Sequence, residues 1–354
     1  MVGLAAPRFT LPPRIDINVD GRRSVYLDLK DWINLAKVIK GMSAPDGYSE
    51  LLLSARRALA DQTAMFPLSG THYIEISEIA DPAQRQDLTA VMEELSEFRV
   101  MLGRPTIMRL EIQAALHRIL GVDTQEPTVA LFGNSFAWAF GMRGGLRILG
   151  ADGQDLTDAR RDTDLYRQIS REFERGMLAG PADDEAAQMR LDGHYRPELV
   201  RATAERRAEQ EREQAARLDA EPRWRRGRLR DVISARELTL EWSDPITEAL
   251  IEAGTTISQV FGTDRNAIRS FADGMPSNCV AVSLKTHYHR DRQHLWTVND
   301  IEDIDALSAA VPYCDAVLTD KAARNAIVTT KVDQQAGTFM PRTARDLADW
   351  LIGG

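Results

Sequence analysis

Residues 299–321 constrain this chain more than any other stretch. They read Asn299-Asp300-Ile301-Glu302-Asp303-Ile304-Asp305 and then Pro312-Tyr313-Cys314-Asp315-Ala316-Val317-Leu318-Thr319-Asp320-Lys321. An acid-dense helix start leads through a helix into a short apolar strand that ends on another aspartate. Active sites of α/β folds lie just beyond the C-terminal ends of the strands, and this pattern sets carboxylates there. Clustered carboxylates repel one another unless a proton or a hard cation sits among them. Further ligands therefore have to come from elsewhere in the chain.

A second strand of this kind lies near the N-terminus. Ser24-Val25-Tyr26-Leu27-Asp28 has the pattern of a buried strand ending on Asp28, after the polar turn Asp20-Gly21-Arg22-Arg23. Trp32, Leu35, Ala36 and Ile39 follow at helical spacing, and 51–60 predicts a second helix. After the extended piece Phe66-Pro67-Leu68-Ser69, Ser69 or Thr71 caps a helix that carries His72 and Glu75. Helical patterns continue over 82–100 and 107–120. Residues 122–153, with the turn Gly141-Met142-Arg143-Gly144-Gly145, predict loops and a short helix.

From about residue 155 to 240 charge dominates. Residues 201–218 alternate in sign with few apolar positions, the pattern of a solvated or partner-facing helix. Helices are expected again over 245–260, 265–272 and 280–289. Gly337-Thr338-Phe339-Met340-Pro341 predicts a last strand, and Thr343 caps a final helix. Strand–helix units at both ends imply a mostly parallel sheet covered by helices. The expected organisation is a first domain part at 22–150, a charged helical insertion at 151–244 and a second domain part at 245–354.

Bulk properties narrow the class. The 354 residues carry a net charge of −9, which is not the footprint of a protein that coats nucleic acid. Local basic patches would serve an enzyme acting on one. Two cysteines, Cys279 and Cys314, make neither a disulfide framework nor a thiolate metal site. Residues 1–13 lack the charged start and apolar block of a secretory signal, and no run has the length of a membrane span. A reducing cytoplasm is the expected setting.

Asp28, Glu75, Asp303 and Asp320 each come from a different element, which is how α/β folds assemble sites. An all-oxygen set suits Mg²⁺ or Mn²⁺. In that order, with Tyr26-Leu27-Asp28, Thr71-His72-Tyr73-Ile74-Glu75, Asp303 and Leu318-Thr319-Asp320, the chain resembles the PIN-domain nucleases. More narrowly, it resembles an uncharacterised bacterial PIN-like branch. The resemblance covers roughly 22–80 and 275–350. It implies a three-layer α/β fold and a metal-dependent endonuclease, usually acting on RNA. Asp28, Glu75, Asp303 and Asp320 would form the acidic site, and Asp300, one helical turn before Asp303, would join as a fifth metal ligand. Asp315 would lie at the far end of its strand and stays outside the set.

Lys285, Arg290 and Lys321 are the expected phosphate contacts. Arg225 and Arg226 belong to the one basic run, Arg223-Trp224-Arg225-Arg226-Gly227-Arg228-Leu229-Arg230, whose interleaved aromatic suits single-stranded RNA. The charged insertion offers a face for a homodimer. Each aspartate also has a plainer explanation, as a helix cap. Two other functions stay open: a phosphoesterase acting on small esters, and a non-catalytic interaction protein that keeps the fold.

Overall fold

In a computed structural model of the chain, residues 8–19, 21–123, 126–142, 144–193 and 196–353 are described. Asp20 and Arg143, members of two expected turns, lie outside them, as do residues 1–7 of the leader reading. The fold is mixed α/β and mostly helical. Among the described residues the strands are two to five residues long, and helices make up most of the regular structure. The chain divides into two compact units. One holds Arg104–Leu131 and Arg201–Met340 with the stretch before Val19, and is called here the Asp303 unit. The other holds Val19–Gly103, Phe132–Val200 and the stretch from Pro341, and is the Asp28 unit. The charged stretch 151–244 thus contributes to both.

In the Asp28 unit the strand Arg23–Leu27 runs parallel to Ala64–Met65, with Arg23 opposite Ala64 and Ser24 opposite Met65. Val25, Tyr26 and Leu27 are all buried, so side chains on both faces of the strand are covered. The strand ends at Asp28, whose backbone is extended and serves as N-cap of the helix Leu29–Ile39. Trp32 and Leu35 bury that helix's inner face. Arg23 ties the strand to the C-terminal helix Ala344–Ile352. It donates to the Trp350 and Leu351 carbonyls at 2.9 and 2.8 Å and lies 4.4 Å over the Trp350 ring. That last helix packs on Tyr48–Ala60. Their approach needs Gly47: a Cβ there would sit 2.7 Å from the Arg345 backbone nitrogen.

The Asp303 unit is built around one helix, Pro276–Arg290, in which only His287 and Arg290 are not buried. Helices Arg104–Leu120, Leu229–Arg236, Val298–Tyr313 and Lys321–Thr330 pack on it. A separate apolar cluster joins Ile112, Leu116, Trp242, Ile246, Phe261 and Phe271. The strand Ala316–Leu318 is fully buried and bridges in parallel to Phe339, the expected last strand reduced to one bridge.

The helix Pro197–Ala220 departs from its sequence reading. Ala208, Glu211, Gln214 and Leu218 are buried, at steps of three, three and four residues. The helix therefore has an inner stripe, but two of its four members are polar.

Candidate acidic site

In the Asp28 unit, His72 fixes the relation between the strand end and the Glu75 helix. The Ser69 N–H donates to His72 Nδ1 at 2.9 Å, so Nδ1 carries no proton. Nε2 must then be the protonated nitrogen, and it donates to the Leu27 carbonyl at 2.8 Å. The ring is fully buried, stacked on Tyr26 at 5.1 Å. Burial pushes its pKa down to about 4, against the raising effect of the Leu27 bond. His72 is thus a neutral tie and not a metal ligand. It holds Leu27, the neighbour of Asp28, against the helix Gly70–Ser77, which carries Glu75 in its last turn. Asp28 and Glu75 are half-buried. Both carboxylates act on the Tyr26 hydroxyl: its pKa is raised by burial first, then by the charges of Asp28 and Glu75.

Asp31, one turn into the Asp28 helix, has no role in the expected site. It is fully buried, accepts from the Tyr48 hydroxyl and pairs with Lys30 at 2.8 Å. Burial lifts its pKa to about 6, although Lys30 and the Tyr48 bond pull it down.

In the Asp303 unit three acids act on Tyr288. The pKa of its hydroxyl is raised by burial and then by the charges of Asp303, Asp320 and Asp300. Tyr288 stacks on His294 at 4.6 Å with nearly parallel rings, and Trp296 meets both edge-on. Asp303 lies on the helix Val298–Tyr313, half-buried. Asp320 is the N-cap of Lys321–Thr330: its Oδ1 accepts from the Ala322 and Ala323 N–H groups.

Asp300 is engaged locally. Its Oδ2 accepts from the Thr297 N–H at 2.7 Å and the Thr297 hydroxyl at 2.8 Å, completing a capping box. His294 Nε2 lies 3.3 Å from Oδ1, an ion-pair distance off the line of a hydrogen bond. Burial would raise the Asp300 pKa, but His294 and Thr297 outweigh it and hold it low. Oδ2 is thus engaged in capping, while Oδ1 faces His294.

Two expected substrate contacts are corrected by burial. Lys285 is 1% exposed. Its Nζ lies 2.5 Å from Glu237 Oε2 and 3.0 Å from Glu211 Oε1, so it cannot reach a phosphate. Around it, Arg104 reaches Glu237 and Asp305, Arg207 reaches Asp305 and Glu241, and Arg236 reaches Glu211. The network holds four cations, Arg104, Arg207, Arg236 and Lys285, against four acids, Glu211, Glu237, Glu241 and Asp305. Burial alone would neutralise Lys285 and Glu237, but each holds the other charged: the Lys285 pKa is raised and that of Glu237 lowered. Glu237 and Glu241 stand on a π-helical turn, Glu237–Glu241. Arg225 also turns inward, donating to the His289 carbonyl and pairing with Asp219 at 2.9 Å. Arg226, Arg290 and Lys321 are exposed, as phosphate contacts must be.

Oxygen donors such as these suit a hard cation. Among the described residues, however, no three His, Cys, Asp or Glu side chains are grouped to hold a metal ion. The donor chemistry of Mg²⁺ or Mn²⁺ is present without a formed ligand group. No helix among the described residues is long and apolar enough to cross a membrane. Comparison with family models, curated proteins and solved structures returns no match.

Proposed function

We propose that this chain is a PIN-like nuclease that hydrolyses phosphodiester bonds, preferentially in single-stranded RNA, with Mg²⁺ or Mn²⁺. The observation that supports it is electrostatic: Asp28 and Glu75 both raise the pKa of the buried Tyr26, and Asp303 and Asp320 that of Tyr288. Neighbouring carboxylates raise the cost of ionising one another, which a bound cation offsets. Carboxylates so placed orient a water and accept its proton. A hard cation, when bound, would lower the pKa of water and offset phosphate charge. The proposal includes a cytoplasmic setting and a homodimer through the exposed charged face of Pro197–Ala220.

The non-catalytic reading has its own support, the lack of a three-residue ligand group among the described residues. Labelled single-stranded RNA and DNA of one sequence, incubated with Mn²⁺, separate the readings. The nuclease reading expects RNA cleavage that falls roughly 100-fold or more in Asp28→Asn and in Asp303→Asn. Cleavage unchanged in both variants overturns the site. Hydrolysis of small esters alone indicates the phosphoesterase, and binding of RNA without hydrolysis indicates the interaction protein.

A further inference from the structure

The basic run that sequence reading singled out lines a cavity of about 960 Å³ in the Asp303 unit. Its other wall is the helix Arg265–Asp273. The lining includes six arginines, Arg223, Arg226, Arg228, Arg230, Arg265 and Arg269, against two aspartates, Asp231 and Asp273. Three of the six are compensated. Arg269 pairs with Asp231 at 2.5 Å, Arg230 with Asp273 at 3.0 Å, and Arg223 with Glu221 at 2.7 Å. Arg226, Arg228 and Arg265 form no ion pair among the described residues. Gly227, between the first two, has φ 121°, a conformation open to glycine and strained for other residues. Trp224 stands in the same wall, 41% exposed.

Uncompensated guanidiniums facing one concavity repel one another and attract an anion. The guanidinium fork matches a phosphate bidentately, and an exposed indole is a stacking platform for a base. The volume falls in the range of small-ligand sites. We propose that this cavity binds a nucleotide unit, its phosphate on Arg226, Arg228 and Arg265 and its base on Trp224. The unit can come from a free nucleotide or from a single-stranded RNA. The site needs no hydrolysis, so it stands or falls apart from the nuclease reading.

The test is equilibrium binding to the full chain in EDTA, where no cleavage interferes. The probes are a labelled ten-residue oligouridylate, AMP and inorganic phosphate. Arg226→Ala/Arg228→Ala/Arg265→Ala is expected to weaken oligouridylate or AMP roughly tenfold or more. For the oligonucleotide, the log–log salt slope should fall by about 2, at about 0.7 for each lost contact. Trp224→Leu should weaken the nucleotide and leave inorganic phosphate unchanged. Arg217→Ala, which removes an exposed guanidinium elsewhere, should change neither. Oligouridylate binding that AMP does not compete identifies the strand as the source, and AMP binding alone identifies the free nucleotide. Single Arg226→Ala and Arg265→Ala variants carry the test if the triple variant does not fold. The proposal is overturned if neither nucleotide probe binds, if the arginine variants bind like the wild type, or if Arg217→Ala weakens binding as much.

Discussion

Replacing Lys285 by methionine tests the buried charge network in a way that hydrophobic accounting does not anticipate. By size and apolarity Met suits a site that is 1% exposed. By charge it is a poor substitute. Glu237 loses a partner at 2.5 Å and keeps Arg104 at 3.2 Å; Glu211 loses one at 3.0 Å and keeps Arg236 at 2.6 Å. The network goes from four cations and four acids to three and four. Breaking a buried pair from one side costs about 3–5 kcal/mol, because the remaining charge stays buried. The partial compensation left to both glutamates puts the expected loss near the lower end, at about 3 kcal/mol. Adding Glu237→Gln restores the balance of charge, so the double variant should recover about 1–2 kcal/mol of that loss. Urea unfolding followed by tryptophan fluorescence reads both values as midpoint shifts at constant slope. A Lys285→Met cost below about 1 kcal/mol would refute the reasoning, as would a double variant that is additively worse.

Two buried titrating groups give opposite pH signatures. Glu111 accepts from the Ser277 N–H and hydroxyl and from Tyr313, yet burial pushes its pKa up to about 7 from 4.5. A raised folded pKa gives stability that is complete below pH 4.5 and lost as pH rises through 7. The loss is about 3 kcal/mol, and Glu111→Gln should flatten it in hydrogen exchange of the Pro276–Arg290 helix. A slope that persists in the variant would assign it to other groups. His72, with its pKa pushed down to about 4 from 6.5, gives stability that is present above pH 6.5. It is lost as pH falls through 4, again by about 3 kcal/mol. Imidazole ¹⁵N shifts should report the neutral Nε2–H form at pH 5.5, and a protonated ring there would contradict the tie to Leu27.

The elements that sequence reading located are those with local signatures. The run Val25-Tyr26-Leu27 before Asp28 became the strand Arg23–Leu27 and an N-cap. Asp320 and Thr343 cap the helices that follow them. What stayed hidden is the burial of charge. Glu211 sits in an inner stripe with Gln214, which no apolar periodicity marks. Lys285 and His289, four residues apart on one helix face, both reach Glu211, at 3.0 and 2.9 Å. From sequence, Lys285 reads as an exposed phosphate contact. Glu211 and Glu237, the acids that draw them inward, lie 74 and 48 residues before Lys285. The same holds for Asp300: the Thr297 that uses its carboxylate was in view, but an acid near a helix start reads equally as a cap and as a ligand.

The proposed function makes Asp28 and Asp303 each necessary for RNA hydrolysis. The most direct measurement is the rate of single-stranded RNA cleavage in Mn²⁺ for Asp28→Asn, Asp303→Asn and the double variant. Each single variant should lose roughly 100-fold or more in rate, and the double variant should be no more active than either. Single variants that cleave like the wild type would contradict the proposed function.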